Sequence, residues 1–264
     1  MTIRIGTAGW SFPRDLDFPA EGTGLERYAA RFDYVEINSS FYRPHQRKTY
    51  ERWAATTPAD FRFAVKVPQT ITHERRLIGI KDLLARFLDE TDGLGGKRGP
   101  LLVQLPPSLR FEAGVIGAFL KTWRERTDAP TVLEPRHATW FQPAAEQMLT
   151  DFQVARVAAD PAVVPQAAEP GGWRGLVYRR WHGSPVIYES AYPAEALNAL
   201  AKRLIEELLA RFLDETDGMG GKRGPLLVQL PPSLRFEAGV IGAFLKIWRE
   251  RTDAPTVLEP RHAT

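Results

Sequence analysis

Two glutamates and a set of cationic side chains fall at the ends of short apolar runs, the places where acid/base or anion chemistry is usually built. Glu36 lies in the run Tyr34-Val35-Glu36-Ile37, and Glu134 directly follows Thr131-Val132-Leu133. Two carboxylates facing each other across a cleft can act as general acid and general base. The same groups beside arginine or lysine would be scaffold ion pairs. Lys66, Arg136 and Arg180 suit a phosphate or carboxylate, the guanidinium as a two-pronged donor and the ammonium as a point charge. They would serve equally well as structural partners. His137 and His182 can relay protons, or can join His73, Asp160 and either glutamate around a divalent metal. No compact His-x-x-x-His spacing supports a metal site. Asn38 and Gln104 add amides, and Trp10, Tyr42 and Trp140 could stack on a sugar or base or simply pack. Ser11 sits in Gly9-Trp10-Ser11-Phe12-Pro13, which is not the GxSxG turn of a serine nucleophile. The catalytic candidates are therefore Glu36, Glu134, His137 and His182. The substrate-binding candidates are Trp10, Asn38, Tyr42, Lys66, Gln104, Arg136, Asp160 and Arg180.

These residues need elements to position them. Apolar runs at 3–5, 34–37, 61–65, 101–105, 131–133, 154–157 and 176–178 read as seven strands. Segments 25–32, 49–55, 80–88, 115–126, 144–152 and 194–213 read as helices, the third with Leu83, Leu84, Phe87 and Leu88 on one face. Strands alternating with helices argue for parallel βα units. The spacing fits a TIM-like α/β barrel of eight strands, whose active site lies at the C-terminal strand ends. The candidate residues fall at those ends. The weakest link is 160–175, rich in proline and glycine, which reads as a loop. An open doubly wound sheet is the alternative, but Gly6-Thr7-Ala8-Gly9-Trp10 is not a GxGxxG nucleotide loop. Trp53 and Trp123 fall on helices and are expected to pack. His45, beside Pro44, is expected to be solvated.

One feature of the chain is unusual. Residues 83–139 reappear as 208–264 and differ only at Leu94 against Met219 and at Thr122 against Ile247. Evolved arrays repeat adjacent, diverged units of about 20–50 residues. A single block repeated almost unchanged, with unrelated sequence between, points instead to a recent rearrangement or a defective gene model. The second copy enters in mid-helix, so that 194–213 fuses two helices. The expectation is one barrel domain over 1–264. In it, 226–230 takes or approaches the eighth-strand position, 240–251 covers it, and 256–264 is left peripheral without function for His262.

The composition is that of a globular protein, 44% hydrophobic and 25% charged over 264 residues. The net charge of +3, from 35 basic and 32 acidic residues, gives only weak support to nucleic-acid binding. With no cysteine there is neither a disulfide nor a thiolate ligand or nucleophile, which suits a reducing compartment. No segment reaches the roughly 18 apolar residues of a membrane helix, and the N-terminus lacks a signal-peptide core. The expected location is the cytoplasm.

Several stretches also resemble a known family. Ile5-Gly6-Thr7-Ala8-Gly9-Trp10-Ser11, Val35-Glu36-Ile37-Asn38-Ser39-Ser40-Phe41-Tyr42, and 61–68 with Ile71-Thr72-His73 are three of them. They continue, in order, with 101–108, Glu134-Pro135-Arg136-His137 with Trp140-Phe141, and Tyr178-Arg179-Arg180-Trp181-His182-Gly183. Together they are similar, over residues 3 to about 205, to domain of unknown function 72, the YecE-like proteins. The resemblance implies a TIM-like barrel and brings no assigned reaction. It also marks a departure. The family's last long helix leads into an aromatic strand ending in a Phe-Asn-Asn-like or Phe-Asn-Asp-like segment, and here the duplicated block follows, with Gln229 as the nearest positional substitute. Two classes of function remain. One is a barrel enzyme acting on a small polar or phosphorylated, sugar- or nucleotide-like substrate by acid/base or metal-assisted chemistry, as a hydrolase or isomerase. A nuclease-like metallohydrolase is a version resting on fold analogy alone. The other is a non-catalytic barrel that binds a metabolite or nucleic acid.

Overall fold

The computed structural model describes residues 3–12, 18–184, 186–187, 189–217, 226–229, 246–250 and 256–259. The chain falls into two compact units, Thr2–Ser190 and Ala191–Thr264. The first unit contains β1 (Gly6–Ala8), β2 (Tyr34–Ile37), β3 (Arg62–Lys66), β4 (Arg98–Gln104), β5 (Thr131–Glu134), β6 (Val154–Arg156), β7 (Ala158–Asp160), β8 (Gly171–Gly172) and β9 (Arg179–Trp181). Its helices are α1 (Gly24–Ala29), α2 (Ser39–Tyr42), α3 (Arg47–Ala55), α4 (Lys81–Thr91), α5 (Ala113–Arg124) and α6 (Pro143–Asp151).

A seven-stranded sheet runs in the order β1-β2-β3-β4-β5-β6-β8. Its first six strands are parallel and only the two-residue β8 is antiparallel. Parallel strands covered on both faces are apolar on both, as Phe63-Ala64-Val65 and Val132-Leu133 are, each with 0% exposure. Because successive strand residues point to opposite faces, the strands split into two columns. Val35, Phe63, Val65, Leu101, Val103, Leu133 and Val154 join the main core with Leu84 and Phe87 of α4 and Ile116, Phe119, Leu120 and Trp123 of α5. Leu102, Val132, Ala155 and Val157 form a second cluster with Leu176 and Tyr178. By the same alternation that second face also carries Glu36, Lys66, Gln104 and Glu134, the last two in register. Apolar residues thus fill this face lower down, and polar ones occupy the C-terminal ends.

Two strands start later than their residue types suggest. The β-branched Ile3 and Ile5 draw the first strand to 3–5, yet they are 41% and 64% exposed and the ladder begins at Gly6. The reason is close approach, since a Cβ at Gly6 would lie 2.0 Å from the Tyr34 carbonyl oxygen. Expected strand 154–157 divides at Val157, whose N–H donates to Leu133 O in β5, while that of Ala158 donates to Tyr178 O. β7 therefore pairs with β9, and the last strand forms at Arg179–Trp181, not at 176–178. The 160–175 stretch holds a 3-10 turn, Pro165–Ala168, besides β8.

In the second unit a single helix, α7 (Ala194–Asp217), runs through the junction at Leu208. β10 (Leu226–Gln229) pairs in parallel with β11 (Thr256–Glu259), and residues 246–250 are helical. Leu226 meets Thr256 and Gln229 meets Glu259, the same register as Leu101 with Thr131 and Gln104 with Glu134. Most of 240–251, along with 230, 260–264 and His262, lies outside the described residues. Among the described residues no helix is long and apolar enough to cross a membrane.

Candidate functional site

Arg180 is the hub of the polar strand ends. Its Nε donates to Glu36 Oε2 at 3.0 Å and its Nη2 to Glu36 Oε1 at 2.8 Å, a two-pronged clamp. Its Nη1 donates to Glu134 Oε2 and lies 3.3 Å from His182 Nε2. All three of Arg180, Glu36 and Glu134 are buried. Glu134 also accepts from Gln104 Nε2 at 3.1 Å and from Arg136 Nε at 3.0 Å, and its Oε1 lies 3.7 Å from His182 Nε2. Tyr178 donates its hydroxyl to Glu36 Oε2 at 3.0 Å. Tyr178, Arg180 and His182 alternate along β9 and its continuation, so they face the same way. The charges act on one another. Burial alone would raise the Glu134 pKa, but the His182 ring and the Arg180 and Arg136 guanidinium groups outweigh it and hold the carboxyl well below the usual carboxylate range. Burial likewise opposes the Arg180 cation, and Glu134 and Glu36 more than restore it.

Lys66 is the different member. It ends β3 and is 5% exposed. Ser40, just beyond β2, fixes its root by donating to the Lys66 carbonyl at 2.7 Å and to Ile37 O at 3.0 Å. The ammonium lies over the Phe41 ring, 4.0 Å from its centroid. Among the described residues its Nζ has neither a hydrogen bond nor an ion pair. Burial lowers its pKa, with Arg180 and Arg136 adding to the effect and Glu36 and Glu134 opposing it, from 10.5 to about 8. His73 stands edge-on to the same Phe41 ring at 5.0 Å and hydrogen-bonds Thr72 Oγ1 through Nδ1 at 2.8 Å. Its pKa is lowered by burial and then by Lys66, Arg136 and Arg76.

The sequence candidates divide accordingly. Glu36, Lys66, Gln104, Glu134, Arg136, Arg180 and His182 form one charged cluster. Asn38 follows β2, its Oδ1 buried without a hydrogen-bond partner. Tyr42 is 70% exposed and edge-on to Phe41. Asp160 ends β7, with its carbonyl accepting from the His182 N–H at 2.8 Å. His137 has a local job, because its Nδ1 accepts from the Thr139 N–H at 3.2 Å and pairs with Thr139 Oγ1, capping a 3-10 turn. Trp10 packs edge-on to Trp53 at 5.0 Å. Trp140 is buried, its Nε1 donating to Leu109 O, and Trp123 is buried in the core as expected. His45 is not free in solvent, since its Nε2 pairs with Ser39 Oγ at 2.8 Å and its ring meets Tyr50 and Trp53.

The metal set suggested by residue types does not assemble. Among the described residues no three His, Asp or Glu side chains are grouped to hold a metal ion. Arg180 occupies the space between the two glutamates. Tyr178 and Phe41 were not among the sequence candidates. Both carried a readable signal, Tyr178 in its period-2 spacing with Arg180 and Phe41 in the stretch Ser40-Phe41-Tyr42 that follows the second strand.

This geometry, a mostly parallel α/β sheet with a charged cluster at its C-terminal strand ends, has close company. The family model for Protein of unknown function DUF72 matches residues 4–207 and again 204–264, and the chain belongs to that family. UPF0759 protein YecE of Escherichia coli (strain K12) is 36% identical over 104 residues, 39% of this chain and 38% of that protein. UPF0759 protein YunF of Bacillus subtilis (strain 168) is 29% identical over 162 residues, 58% of this chain and 57% of that protein. The chain thus spans 38% to 57% of these relatives. Crystal structures of DUF72 family proteins share its fold. The one from Enterococcus faecalis V583 has TM-score 0.59 at 19% identity over 98% of this chain and 90% of that chain. The one from Thermotoga maritima MSB8 has TM-score 0.60 at 24% identity over 78% and 86%.

Proposed function

We propose that this chain is a βα-barrel enzyme that binds a small, polar, anionic substrate, phosphorylated or carboxylated, at its C-terminal strand ends and acts on it by acid/base chemistry. Lys66 carries the reading. An ammonium on a buried residue is costly unless it is paired and hydrogen-bonded, and among the described residues this one is neither. Perturbed groups of this kind cluster where chemistry is done.

Curvature supports the barrel. Glu36 and Glu134 lie on strands separated by β3 and β4, about 14 Å apart across a flat sheet at about 4.8 Å per strand. A single guanidinium nevertheless bonds both, an approach that a sheet bent around that face favours. The second copy, in this reading, belongs to the same barrel domain as its C-terminal part.

Roles follow from the electrostatics. Glu134 is fixed in its ionised form and is a poor proton donor near neutral pH, so the two glutamates act as a frame that holds Arg180. Lys66, with a pKa of about 8, takes the proton-transfer role, since efficient acid/base groups titrate near the working pH. Three cations, Lys66, Arg136 and Arg180, outnumber two carboxylates. The excess positive charge favours an anion, and Arg136, 30% exposed, presents its free edge to one. His182 beside Glu134 completes the frame. The absence of cysteine fits the cytoplasm. A binding protein without chemistry is the second reading, favoured by the pairing of both glutamates with Arg180 and Arg136; nucleic acid has no comparable support.

The test is thermal melting with inorganic phosphate, sugar phosphates and small dicarboxylates, against chloride at equal ionic strength. We expect a saturable rise in melting temperature that Arg136→Gln removes. No rise with any of these anions would overturn the reading.

A further inference from the structure

We propose that Lys66 is a carbonyl-condensing nucleophile, forming an imine with a small aldehyde or ketone that carries a phosphate or carboxylate. The proposal deepens the reading of this cluster as an anion site. A comparison within the chain carries it. Lys97 shows what a structural, part-buried lysine looks like here, with Nζ donating to the carbonyls of Ala54 and Thr57 at 2.6 Å each. Lys66 is more deeply enclosed yet among the described residues has no acceptor, only the Phe41 ring face at 4.0 Å. A neutral amine needs neither counter-ion nor a full set of acceptors, and its lone pair is the nucleophile that condenses with carbonyls. Its root is fixed by the Ser40 hydroxyl, so the amine is held on a rigid strand end. Arg136 and Arg180 both disfavour the ammonium form and attract the anionic end of an incoming carbonyl compound.

The step balances without a redox partner. The Nζ lone pair attacks the carbonyl carbon, a C–N bond forms, and the π pair moves to oxygen. The proton lost by nitrogen is taken up by that oxygen to give a carbinolamine. Protonation of the hydroxyl, its departure as water and loss of the remaining N–H proton leave the imine. The sum is amine plus carbonyl going to imine plus water. His73, on the same Phe41 ring, is the group positioned to pass these protons.

The experiment treats the full chain with glycolaldehyde phosphate or with uncharged acetaldehyde, reduces with borohydride, and maps adducts by peptide mass. At about pH 7 we expect Lys66 to label at least about tenfold faster than the exposed Lys48, Lys81 and Lys121, because a lower pKa leaves more free amine. Lys66 labelling should level off above about pH 8, while the surface lysines continue to rise. Lys66→Arg, checked for an unchanged melting temperature, should lose the adduct. Labelling confined to surface lysines would overturn the proposal. If phosphate raises the melting temperature but neither aldehyde labels Lys66, the anion site stands and the nucleophile falls. If acetaldehyde labels Lys66 and phosphate neither protects it nor stabilises the protein, the nucleophile stands and the anion reading falls.

Discussion

Replacing Lys66 by methionine should make the protein more stable near neutral pH. The two side chains are unbranched and similar in length, so the packing against Phe41 is kept. Moving a lysine from 10.5 to about 8 in the folded state, at about 1.4 kcal/mol per pH unit, corresponds to about 3 kcal/mol of instability for the charged form. The variant loses the cation–π contact, worth about 0.5–2 kcal/mol, leaving a net gain of about 1–3 kcal/mol. The sign follows from proton counting. Below about pH 8 the folded and unfolded states are both protonated at this lysine, so the penalty is full and constant. Between about 8 and 10.5 the unfolded chain holds more protons, so the parent gains stability as pH rises and the advantage of methionine shrinks towards zero. Urea unfolding of parent and variant in matched buffers from about pH 6.5 to 10.5 reads this difference directly. A variant less stable than the parent at about pH 7, or an advantage independent of pH, would refute the reasoning.

Arg180→Met should have the opposite effect. It leaves buried Glu36 without its cation and Glu134 with Arg136 alone, and should destabilise by about 3–5 kcal/mol, with Glu36→Gln in the same chain recovering part of the loss in a double-mutant cycle. Because the folded-state pKa of Glu134 is depressed, its ionic contribution is present above the ordinary carboxylate range and fades as pH falls below it. The difference between parent and Glu134→Gln in urea unfolding should therefore narrow below about pH 4.5. Gly6→Ala drives a methyl into the Tyr34 carbonyl and should lower stability by about 1–3 kcal/mol, while Gly96→Ala, open within 4 Å, should not. Hydrogen exchange should be faster in β10 and β11 than in β4 and β5, since Leu101, Val103 and Leu133 are held in the core with α4 and α5. Equal protection would show the second copy to be as firmly held.

Much of this was readable in the residues before any coordinates. The runs at 34–37 and 131–133 became strands with matching or nearly matching ends, Val35, Ile37 and Leu133 entering the main core. Glu36, Lys66, Glu134, Arg136, Arg180 and His182 could be named as polar endings to apolar strands. What could not be read was partnership. Arg180 chooses both glutamates only because the fold brings β2, β5 and β9 near one another, which spacing along the chain does not reveal. His137 looked like a proton relay until Thr139, two residues on, claimed its nitrogen. The start of β1 was hidden for another reason. β-branching marks strand preference, but a ladder needs two backbones to approach, and that is decided by the missing Cβ at Gly6.

The shared register of β10–β11 and β4–β5 sets one pair of sequences in two settings. A strand, the stretch that follows it and the next strand occur twice in the chain, and both times the two strands pair without a single-residue slip. The instructions for their alignment must therefore travel inside the copied segment, independent of the host. A sheet assembled from such self-aligning pieces can be lengthened, shortened or recombined in blocks, each block carrying the pairing of its own strands.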